Sequence, residues 1–435
     1  MRTKLFLTSL FLIACLAVSA QSQVREVVAG NPNVTIEILQ ELAKDSACNV
    51  RCFVARNQNT PIKTLQELAK DNNYNVRESV AANPNTPTEI LKTLTIGGVR
   101  INVADNPNTT RRMLKKLAND TVWWVRMNVA RNENVSIRTL KKLAKDSEFQ
   151  VRTEIARNEN TPQKTLQKLA KDCHHFVRIS VARNHNTPTE ILKTLATDED
   201  YSVREGIVYN QNTPIEILKK IANDSNGRVR EKVAANENTS IEILEELAQD
   251  SHINVRIAVA KNSNTSIEML NELAKDVHYA VHEAVAQNTN TSVETLQELA
   301  KSNIYFVRGR VAINPNTPIE TLQELAKDNY SSVREMVAKN PNTPIEILNE
   351  LAKDIEFRVR MSVAENPNTS IEILQELSKD SSEWVRKKVA ANENASIEIL
   401  EELAQDSHID VRIAVAKNLN TPVRILKELA NAEKD

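Results

Sequence analysis

Apolar residues along this chain recur on two alternating templates. Val50, Val54 and Ala55 stand at i, i+4 and i+5, which gathers them on one face of a short first helix. Ile36, Leu39, Leu42 and Ala43 follow the same logic and predict a longer second helix, also amphipathic. Both templates return throughout. A Val-Arg dipeptide opens the first helix at Arg25, Arg51, Arg77, Arg100 and onward to Arg412, with His282 standing once for Arg. The interval is 26 residues, except for 23 between Arg77 and Arg100. Sixteen repeats with one three-residue deletion therefore fill residues 24–435. No linker or second domain interrupts them.

The repeat reads V-R-x-x-V-A-x-N-x-N-T-P-x-E-x-L-x-x-L-A-x-D, followed by a four-residue loop. All 14 prolines fall in the turn between the helices, which keeps them out of helix interiors, where each would cost about 3 kcal/mol. The first Asn of the turn (Asn57, Asn83, Asn340) is expected to end the first helix in a left-handed conformation. Thr60 is expected to cap the second helix, with Pro61 at its first position. Thr86-Pro87-Thr88-Glu89 has the form of a capping box. The N-x-N pair occurs in all sixteen repeats. Two caps per turn explain it more simply than a ligand-binding asparagine ladder.

An Asp stands six residues before the Arg, as in Asp45/Arg51, Asp146/Arg152 and Asp406/Arg412. Stacking would align these into a ladder of Arg–carboxylate contacts, for which the planar guanidinium is suited. Such a ladder would fix the register between repeats more than it would add net stability.

This Asp-x5-Arg spacing at the start of a helix is similar to that of HEAT repeats, but 26 residues is too short for HEAT, armadillo or TPR units. The chain resembles the variant leucine-rich repeat (LRV) family over residues 24–435. That resemblance implies an all-α, right-handed α-solenoid of about sixteen 26-residue two-helix repeats, in which α and 3₁₀ helices alternate. Members of the founding type carry a cysteine-rich iron–sulfur module before the repeats. Cys48 and Cys52 cannot supply its four ligands, so no iron–sulfur role carries over and no cofactor is expected.

Composition narrows the function. Only 6 glycines occur in 435 residues, against about 30 for an average chain, which disfavours folds built on Gly-rich phosphate loops. The formal net charge of −1 excludes a uniformly basic nucleic-acid binder. Residues 1–20 read as a secretory signal peptide: Arg2 and Lys4, an apolar stretch from Leu5 to Val18, and Val18-Ser19-Ala20 for cleavage before Gln21. A second reading takes Leu12-Ile13-Ala14-Cys15 as a lipobox, with Cys15 the lipidated N-terminus. Either reading exports the protein, to the periplasm, the cell envelope or the medium. Membrane attachment follows only from lipidation.

Breaks in the pattern are where function is sought. The deletion near Thr95-Ile96-Gly97-Gly98 is expected to kink the array. His282 and Ser302 replace the ladder's Arg and Asp and are read as faults in adjacent rungs. Aromatics from Tyr74 to Trp384 fall in the loop before the first helix. They either plug the end of the core or form a partner-binding edge. The consecutive pair Trp123 and Trp124 is the best candidate, since both cannot face one core.

Charge is polarised. Residues 100–199 hold 19 basic and 11 acidic residues, and 231–435 hold 22 and 34. Arg131, Arg157 and Arg183 share one position in three consecutive repeats, joined by Arg111, Arg112, Lys115, Lys116, Arg138, Lys141 and Lys142 of the second helices. The alternatives are a solvated face, an anion-binding surface, or self-association of basic section with acidic section.

Chemistry for catalysis is missing: HExxH, GxSxG, Walker and GxGxxG motifs do not occur. Cys173-His174-His175 is the one cluster of metal-ligand character, and three consecutive residues rarely converge on one ion, so no metal site is expected. The reading is a non-enzymatic exported scaffold that binds a protein or other macromolecule along an extended surface. The alternative is an envelope-tethered structural lipoprotein. Nucleic acid is not an expected partner.

Overall fold

The computed structural model describes residues 25–95 and 97–432. The expected signal peptide over 1–20, its cleavage before Gln21, and Cys15 lie outside the described residues, as does Ile96 of the deletion. The described chain is all-helical, an α-solenoid of repeated two-helix units. It divides into an N-terminal body ending at Ile217 and a C-terminal body beginning at Leu218, and each is considered by itself.

The two helices of a repeat are the reverse of the expected lengths. The first typically has nine residues, as in Cys48–Arg56, Trp123–Arg131 and Ser331–Lys339; the second typically has seven, as in Ile62–Leu68 and Ile345–Leu351. The second is α-helical, since the Ala69 N–H reaches the Leu65 carbonyl. It then tightens into three-residue spacing as Lys70 and Asp71 donate to Glu67 and Leu68. Val50, Val54 and Ala55 of the first helix and Leu65 and Leu68 of the second are buried. Each of these Val and Leu side chains contributes about 1.5–3 kcal/mol of burial. Within each body, first helices pack against the first helices of neighbouring repeats, while second helices meet chiefly first helices. Stability is thus a sum of nearest-neighbour terms.

The turn asparagines do something other than cap. Asn57, Asn83 and Asn340 have extended backbones, and among the described residues no non-glycine has positive φ. Their side chains point inward. Asn340 Nδ2 donates to the carbonyls of Ala312 (2.7 Å) and Asn314 (2.9 Å) in the preceding repeat, while its Oδ1 accepts the Asn342 N–H. The second asparagine reaches back too: Asn342 Nδ2 donates to the Pro315 carbonyl at 2.7 Å. The pair staples each turn to the one before.

Thr60 is likewise not the N-cap. Its buried hydroxyl donates to the Val54 carbonyl at 2.5 Å, closing the end of the first helix. The cap falls one residue later, on Pro61, or on Ser or Thr where Pro is absent, as in Ser266 accepting the Met269 N–H and Thr110 the Met113 N–H. In Thr86-Pro87-Thr88-Glu89 the cap is Pro87, and the Thr86 hydroxyl is committed to the Val80 carbonyl. Glu89 pairs with Lys92 instead of closing a capping box.

The ladder is present and spans repeats. Arg51 donates through Nη1 to the carbonyl of Asp45, six residues back, and grips Asp71, twenty residues ahead, through Nε (2.7 Å) and Nη2 (3.1 Å). Six such rungs are described in each body, with closest approaches of 2.5–2.9 Å. His282 and Ser302 are twenty residues apart, so they are the two ends of one rung rather than faults in adjacent ones. His282 Nε2 keeps the bond to the Asp276 carbonyl at 2.6 Å, and the Ser302 hydroxyl accepts the Ile304 N–H.

At the deletion both helices shrink to six residues, Thr88–Thr93 and Arg100–Asp105. Gly97 adopts φ +76°, a conformation that glycine takes without steric cost. A Cβ on Gly98 would stand 2.8 Å from the Tyr74 hydroxyl.

Candidate functional site

Because the consensus Asn, Asp and Arg are committed to holding repeats together and the consensus Thr to closing the first helix of its own repeat, chemistry available to a partner rests on the variable positions. Trp123 and Trp124 are the first two residues of the nine-residue helix Trp123–Arg131, so the aromatics expected in a loop lie at helix starts. Trp123 is half-buried and Trp124 is 46% exposed, their rings edge-on at 5.4 Å. Tyr305 and Phe306 repeat this split, and Tyr305 stacks on Tyr330 at 4.6 Å. Phe149 stacks on His174 at 3.6 Å. One ring of a pair covers the helix start and the other faces solvent, so core plugging accounts for only half of each pair.

Arg131, Arg157 and Arg183 end their helices. Eight residues of helix, about 12 Å, separate Arg131 from Trp123, so the structure does not gather tryptophans and arginines into one site. Glu154, only 7% exposed, receives Arg131 Nε at 3.5 Å and Arg157 Nη1 at 2.9 Å. Glu133 and Glu159 border the same groove of about 410 Å³, so carboxylates outnumber guanidinium groups there. Arg183 lies over the Tyr209 ring, 4.9 Å from its centre.

The excess positive charge instead sits on the second helices. Lys141 and Lys145 of one repeat and Lys164 and Lys168 of the next border a groove of about 450 Å³. Asp172 at its edge is already held by Arg152 Nε at 2.6 Å. Lys164 and Lys168 are residues the sequence reading passed over. The signal was there: no acid occupies either Ile137–Leu143 or Gln163–Leu169.

Burial pushes the Asp172 carboxyl up, but the Arg152 guanidinium and the His174 N–H outweigh it and hold the group below the usual carboxylate range. Asp172 is thus an anion committed to its rung, not a proton donor. Around Cys173-His174-His175, burial followed by the neighbouring His175 lowers the His174 pKa. Among the described residues no three His, Cys, Asp or Glu side chains group so as to hold a metal, and Cys48, Cys52 and Cys173 are free thiols. No described helix is long and apolar enough to cross a membrane.

No protein-family model and no curated protein matches the chain. Among solved structures, it is similar to one described as a leucine-rich repeat variant with a novel repetitive structural motif. The identity is 30%, over 46% of this chain and 80% of that one, with a TM-score of 0.38. Importin beta is 13% identical, over 90% of this chain and 55% of that one, with a TM-score of 0.28. UNC-45 from Drosophila melanogaster is 15% identical, over 92% and 62%, with a TM-score of 0.24.

Proposed function

Because this chain belongs to the leucine-rich repeat variant proteins, we propose that it is a non-catalytic, exported scaffold that binds a protein partner through its exposed variable positions. The observation that carries this reading is the division of labour within the repeat. The recurring polar residues are spent on the staples and the ladder, and what remains outside is a surface with half-exposed aromatics and segregated charge. Trp123 and Trp124 supply an amphipathic anchor of the kind that dominates interface energetics. Arg131, Arg157 and Arg183, at the far ends of their helices from the tryptophan positions, present outer N–H groups as a separate set of directional donors. The lysines of 100–199 give an anionic partner its place.

The test is a cross-linking pull-down from envelope and secreted fractions, with the chain from Gln21 as bait. A partner recovered by the wild type, and lost from Trp123→Ala/Trp124→Ala or from Arg131→Ala/Arg157→Ala/Arg183→Ala, supports the reading. Unchanged recovery by both variants rejects those sites. The lipoprotein alternative rests on Leu12-Ile13-Ala14-Cys15 and predicts palmitate incorporation that disappears in Cys15→Ala.

A further inference from the structure

The second helices change sign along the chain without changing position in the repeat. Arg111–Leu117, Ile137–Leu143 and Gln163–Leu169 carry nine Lys and Arg and no acid. In the C-terminal body, the seven consecutive helices from Ile241–Leu247 to Ile397–Ala404 carry sixteen Glu and no Lys or Arg. The glutamates recur at the second and sixth positions of each helix, as in Glu320/Glu324 and Glu346/Glu350, and these four are exposed. Each of the seven helices also opens on an exposed Ile or Val. The lysines opposite them in kind, Lys141, Lys145, Lys164 and Lys168, make no ion pair with a described residue.

We propose that the occupant of the basic face is a second copy of this chain, docked through its acidic face. This rests on the reading above that the basic section takes an anionic partner, and it names that partner. Charge complementarity is the first argument. Periodicity is the second. Both faces are built on the same 26-residue repeat, held by the same staples and rungs, so cations and carboxylates return at matching intervals. Lys116, Lys142 and Lys168, each 26 residues from the next at the sixth position of a second helix, meet a row of glutamates that returns at that same position and interval. An unrelated acidic protein has no reason to share that interval. The contact is heterologous, one surface against a different one, and its exposed Ile and Val rows give it apolar area beside the charges.

Sedimentation velocity on the chain from Gln21, over a range of concentration and salt, reads this directly. At low ionic strength the wild type associates, and raising salt to about 0.5 M, where screening reaches a few ångströms, weakens association by tenfold or more. Two charge reversals complete the test: Lys141→Glu/Lys145→Glu/Lys164→Glu/Lys168→Glu, and Glu320→Lys/Glu324→Lys/Glu346→Lys/Glu350→Lys. All eight positions border solvent, and circular dichroism checks that both variants keep wild-type helicity. Each alone sediments as a monomer, and an equimolar mixture associates, because each variant then meets the opposite charge. A wild type that is monomeric at every concentration and salt overturns the proposal. So does association indifferent to salt and to both variants. A chain that stays monomeric yet captures a different acidic protein through Lys141–Lys168 overturns the self-docking and leaves the scaffold reading standing. A chain that associates through these faces and captures nothing else does the reverse.

Discussion

Arg126 holds Asp146 of the next repeat through Nε and Nη2, both at 2.7 Å, while its Nη1 donates at 2.8 Å to the carbonyl of Asp120 in its own loop. One side chain therefore ties together two successive loops. The pair is largely withdrawn from solvent, so its loss is felt as an orphaned charge as well as a missing bond.

Removing one member should show this. Arg256→Met leaves Asp276 without its guanidinium, at a cost of about 3 kcal/mol, with helix content preserved. Hydrogen exchange should report faster opening confined to about one repeat on either side. If protection falls uniformly along the chain, the nearest-neighbour description is wrong.

The rung at His282 and Ser302 invites the opposite experiment. His282→Arg with Ser302→Asp rebuilds a pair whose surroundings match those of its neighbours, and should raise stability by about 1 kcal/mol. Each single change should give less than half of that, because each introduces a charge with no opposite partner. The double-mutant coupling energy from denaturant melts is the measurement.

Asn340 is fully buried and satisfies two carbonyls of the preceding repeat. Asn340→Ala leaves both acceptors and its own turn unbonded, a loss of about 2–4 kcal/mol. A replacement that retained wild-type stability in urea would return the asparagine to a capping role.

Eleven rung aspartates titrate below their ordinary value, Asp45 through Asp406. For most, burial pushes upward and the Arg and backbone N–H bonds pull further down. At Asp71 the Arg51 bond is itself the leading cause. A carboxyl lowered on folding stabilises the native state above the unfolded value of about 3.9, and that contribution is lost as pH falls through the folded values. Stability should be flat from neutral pH to about 5 and then fall steeply. Arg256→Met should flatten the fall slightly. Acid melts of both proteins check the sign and the window.

Much of this was legible from spacing alone. The two helices, the sixteen repeats and the Arg–Asp ladder all follow from residues at fixed offsets. The ladder's partner was less so: the Asp six residues before each Arg gives only its carbonyl, and the carboxylate gripped belongs to the repeat ahead. Asn and Thr misled because the residue types that cap helices are also the ones that bond backbone when buried, and burial is not written in a local window. The candidate site suffered similarly. Arg131 and Arg157 look cationic in sequence, but Glu154 lies between them in space, while Lys164 and Lys168 gain significance only once second-helix faces are known to be exposed.

The twenty-residue forward reach of each arginine and the 26-residue backward reach of each asparagine also govern how the gene can change. Any insertion or loss of whole 26-residue blocks puts every donor opposite an equivalent acceptor, so unequal recombination yields foldable products of new length. The near-identity of residues 232–262 and 388–418 has the form such an event would leave. Shifts of other sizes are penalised at once: the three-residue deletion after Leu94 shortened two helices and needed Gly97 and Gly98 to close the chain. The array is thus free to vary in length only in steps of one repeat.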